Sequence, residues 1–334
     1  MRRLPDGRMS VQVNHRKNPN RRRRHGLLVL QVSRVTPGQP PFKHCEKEEI
    51  NVDIGFLGTG LMGAPMARRL QLSGHQVYGW NRSADKLQPL LADGIQQVET
   101  PIAAISTSQL IILMLTNADA IQATVLSPDA LPQLAGKTVL QMGTIAPQES
   151  KAIAQAVQTA GGDYIEAPVL GSIPEAKAGT LIVMAGATPD QFNQWKSILE
   201  CFGPEPKLMG PVGAGSGVKL AMNQLIGSLT TAFAMSLSLV QQEAIDIETF
   251  MAIVRQSALY APTFDKKLGR MCDRNFANPN FPTKHLLKDM NLFVQSADTF
   301  NADVAKSVAQ VVQQAIEKGL ADQDYSAVFA AVNP

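Results

Sequence analysis

Lys219 is the single charged residue between positions 213 and 242, and Asn223 follows it by four, so on a helix both side chains leave from the same face. An ammonium near the start of a buried apolar helix is disfavoured by desolvation and by the like-signed end of the helix dipole. Both effects lower its pKa and bring proton exchange toward neutral pH, as a general acid or base requires. The alternative is a lysine that carries its amine out to solvent along its stem, or pairs with a distant carboxylate.

A second chemical signature lies upstream, where Asp53-Ile-Gly-Phe-Leu runs into Gly58-Thr59-Gly60-Leu61-Met62-Gly63 and then Met66, Ala67 and Leu70 at helical spacing. Strand, glycine turn and helix in that order form a dinucleotide site, because a pyrophosphate reaches the N–H groups of a helix N-terminus only where no Cβ obstructs it. Gly58 makes the turn, Gly60 faces the phosphates and Gly63 lets the helix lie close to the strand. The bland alternative is a glycine turn with no ligand.

About twenty residues on, a site for NAD carries Asp or Glu for the ribose hydroxyls, whereas a 2′-phosphate calls for Arg. This chain has Asn81, Arg82, Ser83 and Lys86 there. Loss of the carboxylate removes repulsion and a guanidinium adds a planar donor fork, so NADP is expected over NAD; otherwise Arg82 and Lys86 merely solvate a helix start. Two further loops follow strand ends, where this architecture places ligands: Leu115-Thr116-Asn117, and 141–147 with Gly143-Thr144. Thr144 serves a nicotinamide ribose on one reading and is an ordinary helix cap on the other.

These residues must be positioned by alternating strands and helices. Apolar runs predict strands near 54–57, 77–80, 110–115, 138–141, 163–166 and 181–185, with a helix over 148–159, which together read as a Rossmann-type, doubly wound α/β sheet. Alternation stops after Pro211. Residues 218–240 then predict one long helix, apolar round most of its circumference and therefore buried, more than about 30 Å long and suited to joining two domains. The rest is helical, interrupted by Pro262, Pro279 and Pro282, with Lys288-Asp289 expected as an ion pair on a solvated face. The expected domains are a basic, disordered extension over 1–49, a dinucleotide-binding domain over 50–212 and an all-α domain over 213–334.

With 334 residues, 45% hydrophobic and 18% charged, the chain has an ordinary globular composition. Its formal charge of +3 conceals a division: residues 1–49 hold 12 Lys+Arg against 4 Asp+Glu, leaving 19 against 24 for the remainder. The basic segment includes Arg21 to Arg24 but lacks the interleaved aromatics of a nucleic-acid binder and the apolar core of a signal peptide, so no nucleic-acid partner is expected. Cys45, Cys201 and Cys272 match no metal or disulfide spacing, and the five histidines are scattered. The expectations are no metal, no membrane span and a reduced, cytoplasmic setting.

Four stretches in order carry a resemblance to the β-hydroxyacid dehydrogenases, the group containing 3-hydroxyisobutyrate dehydrogenase and the glyoxylate and succinic semialdehyde reductases. They are Gly58 to Gly63 with Met66-Ala67, Glu166-Ala-Pro-Val-Leu-Gly-Ser172 with Gly179-Thr-Leu, Gly217-Val-Lys-Leu-Ala-Met-Asn223, and Lys288-Asp289. The resemblance spans residue 52 to about 333. It implies that the stretch 168–172, with Gly171 and Ser172, grips a substrate carboxylate, that Lys219 is the acid/base, that Asn223 binds substrate, and that Lys288 lies near the nicotinamide. Where the family often reads Pro-Val-Ser-Gly-Gly, this chain has Leu170 in place of the serine and a hydroxyl two residues later at Ser172, which looks more like the glyoxylate and succinic semialdehyde reductases.

The expected activity is NADPH-dependent reduction of a small aldehyde acid, with a homodimer or homotetramer implied by the family and by the apolar helix. The alternatives are an NAD-dependent 3-hydroxyisobutyrate dehydrogenase or a catalytically silent NADP-binding module. The imine reductase branch typically lacks the lysine, and 6-phosphogluconate dehydrogenase has a much longer helical domain.

Overall fold

The computed structural model describes residues 51–334 and, before them, the backbone of one short antiparallel pair, Arg2–Arg3 with Met9–Ser10. The expectation of a disordered extension otherwise lies outside the described residues.

Strand and helix alternate from β1 (Asp53–Leu57) through α1 (Gly63–Leu72), β2 (Gln76–Trp80), α2 (Gln88–Leu91), β3 (Gln96–Gln97), α3 (Pro101–Thr107), β4 (Leu110–Leu113), α4 (Ala118–Thr124), β5 (Thr138–Gln141), α5 (Pro147–Thr159) and β6 (Asp163–Glu166). The two-residue β7 (Val169–Leu170), α6 (Ile173–Ala178), β8 (Ile182–Gly186), α7 (Pro189–Glu200) and β9 (Lys207–Gly210) complete this half. The sheet runs β3-β2-β1-β4-β5-β6-β8-β9, parallel as far as β6, with β8 antiparallel to both β6 and β7.

Strand order reverses between β1 and β4, which opens a crevice beyond their carboxyl ends. Apolar clusters line both faces: Ile54, Phe56, Leu110, Ile112 and Leu140 belong to one, and Leu57, Ile111, Leu113 and Val139 to the other. Residues pointing alternately to two buried faces explain the unbroken apolar run of β4. That strand stops at Leu113, two residues earlier than the run predicts, because Met114 and Leu115 turn away into the crevice-side loop. The edge strand β3, the outer β9 and the short β7 carry no alternating pattern in the sequence and come from pairing alone.

After Gly213, α8 (Ala214–Gln242) runs 29 residues, about 43 Å at the usual rise. It is followed by α9 (Ile247–Gln256), α10 (Pro262–Cys272), α11 (Thr283–Gln295), α12 (Asp303–Ala315) and α13 (Val328–Val332), whose core includes Phe233, Leu237, Met251, Leu286, Met290, Val312 and Phe329. Only part of α8 is covered. Leu220, Phe233, Leu237 and Val240 are buried, whereas Leu225, Leu229, Met235 and Leu239 are 48%, 37%, 54% and 59% exposed. The expectation of all-round burial therefore fails within one chain: the helix buries one face and leaves an apolar line along the other.

Candidate active site

The glycine turn has the geometry its spacing implies. Gly58 has φ of +102°, and a Cβ there would press on the Met114 carbonyl. A Cβ at Gly63 would run into the Gly58 carbonyl, so its absence sets how closely α1 approaches the turn. Gly60 has nothing within 4 Å of its missing Cβ. Beside it the Thr59 hydroxyl is buried without a hydrogen-bond partner among the described residues. Open space over Gly60 and an orphaned donor at Thr59 fit a pyrophosphate. Leu61 is half exposed and Met62 partly buried at the start of α1.

Asn81 closes the turn from the next strand. Its Oδ1 accepts from the Thr59 N–H at 3.0 Å, and its Nδ2 donates to the Ser83 carbonyl at 3.0 Å. The side chain expected at the ribose thus ties β2 to the glycine turn, while Arg82, Ser83 and Lys86 stand exposed at the crevice rim. Asn117 caps α4, accepting from the Ala120 N–H at 3.0 Å; Thr116 is exposed and Leu115 partly buried. A Cβ at Gly143 would lie 2.6 Å from the Leu115 carbonyl, so the loops after β4 and β5 touch. Thr144 is not a helix cap. That place belongs to Ala146, whose N–H donates to Glu149 at 2.7 Å, and the Thr144 carbonyl instead accepts from Lys288 Nζ at 2.6 Å.

That bond joins the sheet to the helical half, and the acid/base candidates gather behind it. Gly227 lets α11 lie close against α8, since a Cβ there would be 2.8 Å from Met290 Sδ. One turn earlier, Asn223 donates to Asp289 Oδ2 at 2.6 Å, both residues being 2% exposed. Lys288 Nζ lies 2.8 Å from Asp289 Oδ1, but off the line a hydrogen bond needs, so this is a charge contact. The solvated pair read from the sequence is therefore wrong for Asp289, which is buried.

Lys219 has no hydrogen bond or ion pair among the described residues, so the account of it as paired with a distant carboxylate does not match its surroundings. Some of its surface remains accessible, yet protein crowds its ammonium. Burial lowers its pKa to about 8; the charge of Asp289 opposes this fall and that of Lys288 adds to it. An unpaired amine that loses a proton near neutral pH, beside a buried amide–carboxylate pair, is equipped for acid/base chemistry.

The predicted carboxylate grip is arranged differently. Val169–Leu170 pairs with Val183 and Ile182, and Gly171 takes φ of +138° after it. Ser172 donates both its N–H, at 2.8 Å, and its hydroxyl, at 2.6 Å, to Glu175 Oε2 in the first turn of α6. These bonds hold the Glu175 carboxyl below its ordinary pKa. An anion thus occupies the donors expected to receive the substrate's acid group.

Sequence reasoning missed Asp289 as the partner of Asn223, and Glu166 as more than a motif residue. Glu166 is fully buried at the end of β6, with its carboxylate turned toward the start of α8. Among the described residues, no cluster of three or more His, Cys, Asp or Glu could hold a metal ion, and no helix is long and apolar enough to cross a membrane.

Comparison with known proteins supplies the family. The family described as the NAD binding domain of 6-phosphogluconate dehydrogenase matches residues 53–211, and that described as NAD-binding of NADP-dependent 3-hydroxyisobutyrate dehydrogenase matches 213–332. Glyoxylate/succinic semialdehyde reductase 1 of Arabidopsis thaliana is 32% identical over 285 residues, covering 84% of this chain and 98% of the plant protein. The human cytokine-like nuclear factor N-PAC is 29% identical over 83% of this chain, which spans 51% of that longer protein. The Mycobacterium tuberculosis 3-hydroxyisobutyrate dehydrogenase structure with L-serine superposes with a TM-score of 0.77 at 21% identity, covering 85% of this chain and 100% of that one, a likeness of fold. NAD- and NADP-binding proteins both occur among such relatives. The chain belongs to the β-hydroxyacid dehydrogenase family, the NAD(P)-dependent oxidoreductases of CH–OH substrates that include the 3-hydroxyisobutyrate dehydrogenases and the glyoxylate/succinic semialdehyde reductases.

Proposed function

We propose that this protein interconverts a small hydroxy acid and the corresponding aldehyde acid, with Lys219 as the proton carrier. The dinucleotide, when bound over Thr59 and Gly60, supplies or accepts the hydride. Lys219 gives a proton to the carbonyl oxygen in reduction and takes it from the hydroxyl in oxidation. Asn223, fixed by Asp289, presents its remaining polar edge to the substrate, and Lys288 holds the Thr144 loop at the nicotinamide end of the crevice. The unpaired, enclosed ammonium of Lys219 carries this reading.

Of the two substrate readings, oxidation of a 3-hydroxyisobutyrate-like acid now has the stronger support. The match over 213–332 bears that enzyme's name, and the hydroxyl of Ser172, on which the glyoxylate and succinic semialdehyde assignment relied, donates to Glu175. The 32% identity to the plant reductase keeps aldehyde-acid reduction as the second reading. Exposed Arg82 and Lys86 with neutral Asn81 support a preference for the 2′-phosphate of NADP, while NAD remains usable. Leu115, Thr116 and Asn117 complete the cofactor rim in the same proposal, and Gly171 and Ser172 the substrate rim. The apolar line on α8 supports a homodimer or homotetramer, and free Cys201 and Cys272 a reduced, cytoplasmic setting.

The test is turnover of 3-hydroxyisobutyrate, glyoxylate and succinic semialdehyde with each dinucleotide, in wild type and Lys219→Met. The variant should lose about 10²-fold or more in kcat while still binding dinucleotide. It should be no less stable at pH 7, because the unfavourable burial of the ammonium applies in full below about pH 8 and fades as pH rises toward 10.5. A variant with wild-type turnover would contradict the role of Lys219, and dinucleotide binding by the wild type with no turnover of any of the three acids would support the silent-module alternative instead.

A further inference from the structure

Glu166 is the most completely engaged buried carboxylate on the sheet side of the site, and none of the steps above uses it. Its Oε1 accepts from the N–H groups of Gly213 at 2.8 Å and Ser216 at 3.0 Å. Its Oε2 accepts from the Ser216 hydroxyl at 2.6 Å and from the Ser150 hydroxyl, which also contacts the Tyr164 hydroxyl at 2.8 Å. Four donors from α5 and the start of α8 thus converge on one side chain at the end of β6.

The surroundings are shaped to admit it. A Cβ at Gly215 would lie 3.1 Å from Oε1 and 2.5 Å from the Met184 carbonyl, and one at Gly186 would collide with the Glu166 carboxylate. Gly213 reaches its donor position with φ of +99°. Two of the N–H groups left unpaired at the start of α8 are therefore satisfied by a residue of the sheet rather than by a local cap. The negative charge also complements the positive end of the helix dipole.

Ser216 precedes Lys219 by three residues, so the two lie on neighbouring positions one turn apart. Fixing the first turn of α8 both along and around its axis fixes where the ammonium of Lys219 projects. We infer that Glu166 is a positioning residue: its carboxylate clamps the first turn of α8 to the end of β6, and so sets the position and enclosure of Lys219. A hydroxyl could cap one N–H, whereas the Glu166 side chain spans far enough to engage two N–H groups with one oxygen and two hydroxyls with the other. This inference rests on the acid/base reading of Lys219 for its effect on rate, while the clamp itself is independent of that reading.

The experiment compares Glu166→Ala, Ser216→Ala and Glu166→Gln with wild type by steady-state kinetics across pH and by hydrogen exchange of the amides of 213–219. Glu166→Ala should lower kcat about tenfold or more and leave the dinucleotide Kd within about threefold. The titration of turnover should move up from about pH 8 as the loosened lysine gains solvent. Amides 213–219 should lose protection while those later in α8 keep theirs. Ser216→Ala, which keeps both backbone bonds, should show a smaller change in the same direction. Glu166→Gln, with the same length and one oxygen for the two N–H groups, should restore most of kcat and the wild-type midpoint.

Unchanged exchange over 213–219 in Glu166→Ala would overturn the clamp, as would an unchanged midpoint and kcat per folded molecule. If the alanine variant does not fold, Ser216→Ala with wild-type exchange and midpoint overturns it equally. Altered exchange, with Lys219→Met still fully active, would contradict the role of the lysine and leave the clamp standing.

Discussion

At the scale of single residues, the charge set around Lys219 decides when it can carry a proton. Asp289 is the anion that partly offsets the desolvation of Lys219, and Asn223 holds it from below. Asp289→Asn removes that offset, so the lysine's pKa should fall below about 8 and the alkaline limb of the reductive reaction should move to lower pH. Steady-state kcat from pH 5 to 10 checks this; an unmoved limb would remove Asp289 from the electrostatics of the site. Glu175 acts on substrate rather than on the proton. It lies against the Ser172 donors and is anionic at neutral pH, so it competes with a substrate carboxylate for them. Glu175→Ala should lower KM for acid substrates several-fold while kcat changes little, the pattern of improved binding common to ground and transition states. A raised KM would mean instead that the carboxylate organises the loop for binding.

At the scale of elements, α8 serves two purposes on opposite faces. One face seats Lys219 and Asn223 and packs on α11 through Gly227, and the other exposes Leu225, Leu229, Met235 and Leu239 in line. Such a stripe is long enough to seat a helix of a second copy. Replacing Leu225 and Leu239 with Glu should yield monomers by light scattering; wild-type protein that is itself monomeric at micromolar concentration would contradict the proposed assembly. Elements were unevenly legible in the sequence. β1, β2 and β5 could be placed because buried apolar runs end at glycine or polar residues, and α5 because Pro147 fixes its first turn. β3 and β9 could not, since their place comes from lying beside a neighbour whose backbone supplies the bonds. The length of α8 was legible from its lack of charge, but its two-sidedness was not, because Ala, Leu and Met occupy buried and exposed faces alike.

At the scale of the whole molecule, the site is made by a meeting of distant segments. The glycine turn, where ligand and backbone meet locally, could be read in place, and so could the pair Lys219 and Asn223, four residues apart on one helix. What joins them could not. Asn223 and Asp289 are 66 residues apart, Glu166 and Ser216 are 50 apart, and Lys288 and Thr144 are 144 apart. Each of these contacts depends on how the sheet and helices pack, whereas the tie from Ser172 to Glu175 is local, a serine with a glutamate three residues on at the start of α6. The crevice at the β1/β4 reversal and the lysine beyond it form a single centre only if the proton and the hydride move in one reaction. The most direct measurement is the pH dependence of kcat in both directions for wild type and Lys219→Met, with the best substrate pair. Reduction by wild type should fall as pH rises through about 8 while oxidation rises, and the variant should lose both limbs. A Lys219→Met enzyme that retains wild-type rates and the same two limbs would contradict the assignment of the proton to Lys219.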